Sequence, residues 1–339
     1  MQERAGIAIA GNMLVDSIKR VATYPRPGLL AQIQDVSRGV GGCVPNTILD
    51  LARMGGGYPL YALGRLGADE PGDYVAARLQ EMGVDISGVI RSEKSATSFS
   101  DVMSALDTGE RTFFHHKGAN AEFCPEDVNL DRLSARMLHV GYLMLLDRFD
   151  APDSVYGTAM ARFLHDAQER GIATSIDAVS DAQGRYREIV LPALKYCDYA
   201  IMNEIEACAP FGLQPRDEAD RLDQAQIRRA LEGLMNAGVK HRAVIHCPEA
   251  GFCLDVETGF VAVPSFRLPK GYIQGSVGAG DAFCAGCLHG IYRGFAPADM
   301  LSYAAAAAAA NLAAADSVSG MQDEETLLKI TREWGRNEL

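Results

Sequence analysis

Short apolar runs alternate with longer stretches of helical apolar spacing over most of the chain. Each short run is typical of a buried strand, and each longer stretch of a helix that packs one face against a sheet. The alternation predicts a mostly parallel sheet covered by helices on both faces. The predicted strands are 6–10, 60–63, 137–140, 173–176, 199–202 and 243–246, and the predicted helices are 45–54, 74–81, 154–170, 224–237, 281–292, 297–314 and 324–334.

One region breaks the alternation. Two β-rich runs, 97–106 and 111–116, are joined by Asp107-Thr108-Gly109-Glu110, a linker that is typical of a hairpin. Together with residues 12–36, this hairpin is expected to form a small sheet that stands off the main domain and suits a lid over a cleft. We therefore expect a single domain over residues 1–339, with lid segments at roughly 12–36 and 90–116.

Composition and charge exclude several classes of function. The chain has 339 residues and a formal net charge of −12 at pH 7. An acidic protein repels the phosphates of nucleic acids and anionic lipid surfaces, so we expect neither a nucleic acid nor a membrane as a partner. An anionic substrate such as a nucleotide must then be held locally, by Mg²⁺ and by oriented backbone N–H groups.

The lack of a recognisable targeting signal and the spacing of the cysteines favour the cytoplasm. The apolar run at 7–10 is too short for a signal-peptide core. The alanine-rich stretch 303–315 falls short of the ~20 strongly apolar residues of a membrane span, so we expect a packed core helix there. The eight cysteines show no disulfide framework, and the pair Cys284 and Cys287 has no partner pair for a zinc site. We expect a reducing, cytoplasmic compartment.

The strongest chemical signal is Gly275-Ser276-Val277-Gly278-Ala279-Gly280-Asp281, directly ahead of an apolar helix. Glycines let a ligand approach the backbone, and the helix N-terminus supplies free N–H groups, so this segment predicts a phosphate site. Asp281 lies in the first turn, where the helix dipole favours the ionised carboxylate that a hydroxyl-deprotonating base requires. The alternative is a tight strand–helix turn in which Asp281 only starts the helix. The chain has neither a Walker A lysine motif nor an early G-x-G-x-x-G.

Two further segments indicate ligand contacts. Gly39-Val40-Gly41-Gly42-Cys43-Val44-Pro45-Asn46 again places glycines before a helix, and Asn46 offers the donors and acceptors that a polyhydroxylated ligand needs. Asp16, shortly after the first strand, could accept hydrogen bonds from vicinal hydroxyls. Asn203-Glu204-Ile205-Glu206 follows a strand end, where carboxylates can hold Mg²⁺ through its waters. The alternatives are a glycine turn, a solvated aspartate and an asparagine that caps a helix.

Five stretches together resemble the ribokinase-like, PfkB-type carbohydrate kinases over nearly the whole chain. They are Gly41-Gly42-Cys43-Val44-Pro45-Asn46, Gly64-Arg65-Leu66-Gly67-Ala68-Asp69-Glu70-Pro71-Gly72, Gly109-Glu110-Arg111-Thr112 with Gly118-Ala119-Asn120, Asn203-Glu204-Ile205-Glu206, and Gly278-Ala279-Gly280-Asp281. The last motif is highly specific when it stands late in an α/β chain with the first two upstream. The resemblance implies the ribokinase-like α/β fold, a central and mostly parallel sheet flanked by helices with a small β lid.

The resemblance also implies roles for individual residues. Gly278, Ala279 and Gly280 would form an anion hole for the γ-phosphate of ATP, and Asp281 would be the catalytic base. Sugar contacts would come from Asp16, Gly41, Gly42 and Asn46. Asn203 and Glu206 would position Mg²⁺ and phosphate, with Glu206 as the metal residue. Asn311 would line the adenine pocket, and Gly251 would be the retained glycine of a nucleotide loop.

Two departures from the family pattern change the expectations. Gly275-Ser276 stands where many relatives have Asp-Thr, and that aspartate often helps to shape a monovalent-cation site, so we expect weak potassium activation. Relatives usually carry a Gly-x-x-Gly nucleotide loop where this chain has Cys247-Pro248-Glu249-Ala250-Gly251. Pro248 has no N–H, so nucleotide contacts there are expected to differ.

The sequence therefore predicts an ATP- and Mg²⁺-dependent kinase that phosphorylates a hydroxyl of a sugar-like molecule, with a homodimer through the lid as a further expectation. One alternative is a nucleoside kinase with an aromatic clamp drawn from Phe99, Phe113, Phe114 and Tyr142. Another is a sugar-phosphate kinase, given Arg38, Arg111 and Lys117. A third is a non-catalytic sugar-binding regulator, which would have no need of Asp281.

Overall fold

The computed structural model describes residues 4–108, 110–180 and 184–339. Within these residues the strands are β1 Ile7–Ala10, β2 Leu14–Val21, β3 Ile33–Gly41, β4 Leu60–Gly67, β5 Asp85–Ser92, β6 Ser98–Ala105, β7 Arg111–His116, β8 Met137–Leu143, β9 Pro152–Asp153, β10 Gly157–Thr158, β11 Ala173–Ala178, β12 Tyr199–Asn203, β13 Arg242–His246, β14 Ala250–Asp255 and β15 Gly259–Pro264. The α-helices are α1 Cys43–Met54, α2 Glu70–Glu81, α3 Ala159–Glu169, α4 Tyr186–Leu194, α5 Glu204–Cys208, α6 Gln224–Ala237, α7 Ala279–Arg293, α8 Pro297–Asn311 and α9 Glu324–Glu333.

A large sheet organises the fold. Its strands follow the order β15-β14-β13-β12-β11-β8-β1-β4-β5 within the described residues. Neighbours from β13 to β5 pair in parallel, whereas β14 and β15 add an antiparallel hairpin at one edge. Parallel strands are joined by crossover connections, and the helices in these connections cover both faces of the sheet. This confirms the predicted mostly parallel sheet flanked by helices.

Two apolar clusters, one on each face of this sheet, form the core. Along β1, Ile7 and Ile9 belong to one cluster and Ala8 and Ala10 to the other, as the two-residue period of a strand requires. The first cluster packs against α1, α2, α7, α8 and α9, and the second against α3, α4 and α6. Helix α8 holds residues 303–311 of the alanine-rich stretch, most of which are buried as expected. The helix ends at Asn311 rather than at the predicted residue 314, and Ala313 and Ala315 are exposed. None of the described helices is long and apolar enough to cross a membrane.

A second, four-stranded sheet has the order β3-β2-β6-β7 within the described residues. It is the small sheet that the sequence predicts, with different limits. Strand β3 continues to Gly41, past the predicted end at residue 36. Residues 90–92 lie instead in β5, which pairs with β4 of the large sheet. The predicted hairpin turn includes Gly109, which lies outside the described residues.

The helix predicted for 154–170 begins later than expected. Residues Pro152–Asp153 and Gly157–Thr158 form a short antiparallel pair, and α3 begins only at Ala159. The side chain of Thr158 accepts a hydrogen bond from the backbone N–H of Ala161 and so caps the helix. Helical spacing alone does not locate such a cap.

Candidate active site

The start of α7 is shaped by glycine. Gly278 has φ 78°, in the left-handed region, and a Cβ there would lie 2.4 Å from the carbonyl oxygen of Ser317. No residue with a side chain fits this position without a backbone shift. Among the described residues, the backbone N–H groups of Gly280 and Asp281 have no hydrogen-bond acceptor. They are the free donors of an anion-binding helix N-terminus.

Asp281 is buried in the first turn of α7. Its Oδ2 accepts hydrogen bonds from Asn46 Nδ2 at 2.9 Å and from the Tyr142 hydroxyl at 3.0 Å. Burial raises the pKa of Asp281 to about 7, although the hydrogen bond from Asn46 favours the charged form. Desolvation therefore outweighs the helix dipole, which the sequence alone suggested would keep this carboxyl ionised. A pKa near neutrality suits a general base.

Asn46 orients the carboxyl of Asp281. Its Oδ1 accepts a hydrogen bond from Ser317 Oγ at 2.8 Å, which leaves Nδ2 directed at Asp281. Ser317 also contacts the turn at Gly278, so one loop after α8 supports both the turn and the asparagine. The sequence predicts Asn46 as a sugar ligand, and the structure adds this contact with the candidate base. Tyr142, expected only as part of an aromatic clamp, makes the second contact.

A cleft of about 1000 Å³ opens on one side of Asp281, between the large sheet and the four-stranded sheet. Asp16 lines it beside Gly41, where a Cβ would lie 2.3 Å from Asp16 Oδ2. Burial, with a smaller contribution from the charge of Asp281, raises the pKa of Asp16 to about 7. Gly42 lines the cleft as well, whereas Gly41 itself serves to make room for Asp16.

Asn12 is a lining residue that sequence reasoning missed. It is 2% exposed, and both polar atoms of its side chain lack a partner among the described residues. A buried, unsatisfied amide that lines a cleft indicates a ligand with hydroxyl groups. The signal was available, because Asn12 follows β1 at the carboxyl end of a parallel strand, where ligands bind in such sheets.

A second cleft, of about 750 Å³, lies on the other side of the α7 N-terminus. Its walls are largely apolar, with Phe266, Leu268, Ala305 and Ala308 among them, and Gly280 borders it. The predicted nucleotide-loop residue Gly251 lines it, and a Cβ there would lie 2.9 Å from Phe283 Cζ. The cleft suits a flat, mostly apolar ring such as a nucleobase.

The loop that carries Pro248 is held by an ion-pair network that sequence reasoning missed. Arg216 Nη1 lies 2.8 Å from Glu249 Oε1, and its Nη2 lies 2.9 Å from Glu204 Oε1. Both carboxylates belong to segments at the rim of the apolar cleft, so Arg216 ties this loop to the start of α5. The partners stand 12 and 33 residues from Arg216. No local pattern in the sequence indicates such a contact.

Asn311 does not line either cleft. Its side chain is fully buried, and Nδ2 donates to the backbone oxygen of Ser317. Its neighbours Ala308, Ala309 and Leu312 do line the apolar cleft. The side chain of Asn311 points into the core instead, so the expected adenine-pocket residue does not line this cleft.

Asn203 and Glu206 lie between the two clefts. Asn203 caps α5, accepting from the N–H of Glu206, while Glu206 Oε2 accepts from the N–H of Asn203 at 3.0 Å. Both also line a small cavity of about 250 Å³ together with Asp177 and Asp281. Burial raises the pKa of Glu206 to about 8. The capping interpretation is therefore correct for the local structure, and the cavity of oxygen donors also fits a hard cation.

Comparison with known proteins identifies the family. The model of the pfkB family carbohydrate kinases matches residues 5–323. The chain belongs to the pfkB family of carbohydrate kinases. Fructokinase-1 of Zea mays is 26% identical over 293 residues, which cover 84% of this chain and 82% of the relative. These matches confirm the predicted kinase class.

Solved structures have the same fold. The ribokinase of Arabidopsis thaliana complexed with ribose and ATP superimposes with a TM-score of 0.78 at 21% identity, covering 97% of this kinase and 99% of that chain. The nucleoside kinase of Burkholderia thailandensis in complex with inosine gives a TM-score of 0.74 at 18% identity, covering 96% and 98%. At such identities the likeness shows the ribokinase-like fold alone.

Proposed function

We propose that this kinase transfers the γ-phosphate of ATP to a hydroxyl of a sugar-like acceptor, with Asp281 as the base. The observation that carries the proposal is the position of Asp281 between two clefts of different chemistry. The polar cleft with Asp16 and Asn12 takes the acceptor, and the apolar cleft with Phe266 takes the nucleotide. Gly280 borders the apolar cleft and Asp281 lines the polar one, so the free N–H groups of both residues lie at the helix start that the two clefts share.

The chemistry assigned to these residues is an in-line phosphoryl transfer. The acceptor hydroxyl loses its proton to Asp281 while its oxygen bonds to the γ-phosphorus, and the bond from that phosphorus to the β-phosphate bridging oxygen breaks. Asn46 and Tyr142 hold the carboxylate in position. The free N–H groups of Gly280 and Asp281, rather than that of Ala279, which donates to the backbone oxygen of Ser276, stabilise the negative charge on the transferred group.

Mg²⁺ would be held near Glu206 and Asn203. The fit rests on the cavity described above, in which the oxygens of Glu206, Asp177 and Asn203 provide donors of the kind that Mg²⁺ prefers, directly or through its waters. When bound, the ion neutralises phosphate charge. The backbone and side-chain groups of α5 and α7 orient the phosphates and exclude water.

The four-stranded sheet is proposed to act as a lid that closes over the acceptor and excludes water, which suppresses hydrolysis of ATP. Phe99 and Phe114 are exposed on its outer surface, and Leu29 and Leu30 are exposed on the loop between β2 and β3. Exposed apolar side chains, which a second copy would bury, support a homodimer through the lid. Light scattering of the purified protein tests that part. A cytoplasmic location is proposed as well, because all eight cysteines are free, as a reducing compartment would keep them.

The alternatives are supported less well. For the nucleoside kinase, only Phe113 and Tyr142 of the proposed aromatic clamp line the acceptor cleft, and the Tyr142 hydroxyl already binds Asp281. For the non-catalytic regulator, the buried arrangement of Asp281, Asn46 and the glycine turn would have no purpose. The polar row of Asp16 and Asn12 favours a polyhydroxylated acceptor.

A phosphoryl-transfer screen with Mg·ATP across sugars, sugar derivatives and nucleosides tests this function. We expect ADP release and a phosphorylated product with at least one sugar-like acceptor, and none from the Asp281→Asn variant. Transfer to nucleosides alone would favour the nucleoside kinase. The absence of transfer to every acceptor, from a folded protein that binds ATP, would contradict the proposal.

A further inference from the structure

Arg111, at the start of β7, is a cation that nothing in the described part of the protein neutralises. It lines the acceptor cleft together with Asp16 and Asp281. Its Nη1 atom is buried and has no hydrogen-bond partner among the described residues. A buried N–H donor without an acceptor costs free energy, which an oxygen of a bound ligand would recover.

The two other cations that the sequence suggests near the site have partners. Arg38 donates to both carboxylate oxygens of Glu70, at 2.7 and 3.0 Å. Lys117 Nζ lies 2.6 Å from Asp147 Oδ1. Arg111 alone of the three makes no ion pair with any carboxylate that the structure describes. The chain has a net charge of −12, so carboxylates outnumber cationic side chains. An arginine that lines a cleft without pairing with any of the described carboxylates is therefore unexpected.

The strand register places Arg111 in a cationic row across the lid. Ser104 pairs with Arg111 on one side and with Arg20 on the other, so the three residues share one row. Both arginines border a concavity of about 470 Å³, which adjoins the acceptor cleft at Arg111. No ion pair involves Arg20 among the described residues, although Asp35 stands opposite it in the register.

The cationic row lies away from the row that serves the reacting end of the acceptor. Asp16, Ser100 and His115 form that inner row, four residues nearer the start of β2. Four residues of strand correspond to roughly 13 Å. The row between them contains Ile18, Val102 and Phe113, with Ser37 opposite Ile18 on β3. The lid therefore offers an acceptor a polar end, a largely apolar middle and a cationic end.

We propose that the acceptor is an anionic sugar derivative, a sugar acid or a sugar phosphate, whose charged group binds Arg111 while its reacting hydroxyl lies at Asp281. This inference rests on the proposed function and specifies its substrate class. A guanidinium matches a carboxylate or a phosphate with two parallel hydrogen bonds, and Arg20 adds positive charge in the same row. The transfer chemistry is unchanged, because the anionic group takes no part in it.

Matched acceptors test the proposal. The kcat/KM of the wild-type enzyme is measured for pairs that share a skeleton, an aldose with its aldonic acid and a ketose with its terminal phosphate ester. We expect the anionic member of at least one pair to exceed its neutral partner at least tenfold. The pair in which this occurs distinguishes a carboxylate from a phosphate ligand. Equal efficiency within every pair would overturn the proposal.

Variants locate the effect at Arg111. Arg111→Met should lower kcat/KM for the anionic acceptor at least tenfold more than it lowers kcat/KM for the neutral partner. Arg111→Lys should keep part of the advantage of the anionic acceptor, because lysine retains the positive charge but lacks the paired N–H donors of the guanidinium. The part that remains should be larger for a phosphate than for a carboxylate. Lys19→Met is the control, since Lys19 belongs to the same lid sheet and pairs with Asp101. An equal loss for both acceptors in Arg111→Met would contradict an anion contact.

Calorimetry separates this inference from the proposed function. The anionic sugar is titrated into Asp281→Asn with and without Arg111→Met, so that binding is measured without turnover. Binding that depends on Arg111, with no transfer by the wild-type enzyme to any acceptor, would support the anion site and overturn the proposed function. Transfer to neutral sugars without dependence on Arg111 would overturn the anion site and leave the proposed function standing.

Discussion

The two clefts that meet at α7 differ in how their polar groups are satisfied. In the acceptor cleft the amide of Asn12 has no partner, and burial raises the pKa of both Asp16 and Asp281 to about 7. At the apolar cleft Arg216 pairs with Glu204 and Glu249, and the side chain of Arg267 donates to the backbone oxygen of Arg336. Unsatisfied polar groups favour a ligand that forms the missing hydrogen bonds, whereas apolar walls bind a ligand by burying its apolar surface. The acceptor side is therefore where we expect specificity and chemistry to reside.

The largest effect is expected from Asp281→Asn, which acts on the acceptor side. The variant keeps the shape of the side chain but cannot accept the hydroxyl proton, so kcat should fall by at least ~10². Steady-state kinetics measure the fall, and calorimetry should find ATP affinity within about twofold of the wild type, because the apolar cleft is untouched. Wild-type turnover in this variant would remove Asp281 from catalysis.

Glu206→Gln tests the region between the clefts. Glutamine keeps an oxygen that accepts from the N–H of Asn203, so the cap of α5 should persist, but it removes the charge available to Mg²⁺ or its waters. We expect the Mg²⁺ concentration for half-maximal rate to rise about tenfold. If the Mg²⁺ dependence is unchanged, Glu206 serves only as a helix cap.

Arg216→Ala tests the nucleotide side. Loss of the contacts to Glu204 and Glu249 should loosen the loop that carries Pro248 and raise KM for ATP about fivefold, since such charge-assisted contacts contribute on the order of 1 kcal/mol. KM for the acceptor should not change. Arg221→Ala is the control, because Arg221 is exposed and, among the residues that the structure describes, pairs with Asp217 alone. A rise in both KM values would show that the two clefts are not independent.

Potassium should have the smallest effect. A Cβ at Gly275 would lie 2.8 Å from the carbonyl oxygen of Ala314 and 2.9 Å from that of Ala315, so the aspartate common in relatives has no room here. We expect less than about threefold stimulation by potassium over a bulky organic cation at matched ionic strength. Stimulation of about tenfold, equivalent to ~1.4 kcal/mol in the barrier, would show that carbonyl oxygens alone build a cation site.

Local features of this protein could be predicted from its sequence, whereas features that depend on residues distant in the chain could not. The strand Ile7–Ala10 and the glycine turn before α7 were predictable, because burial and backbone freedom leave a local pattern. The limits of the lid were not, since β5 is assigned to the large sheet by its pairing with β4. The contact of Tyr142 with Asp281 joins residues 139 positions apart. The effect of burial on the pKa of Asp281 likewise exists only in the folded protein.

The pH dependence of acceptor phosphorylation tests the central claim, that Asp281 accepts the hydroxyl proton, most directly. The base must be deprotonated, so kcat/KM for the acceptor should fall about tenfold per pH unit below the pKa of about 7 and reach a plateau above it. Asp281→Asn should show no such inflection in its residual rate, whereas Asp16→Asn should retain it. An inflection that persists in Asp281→Asn, or that is lost in Asp16→Asn alone, would contradict the assignment of Asp281 as the base.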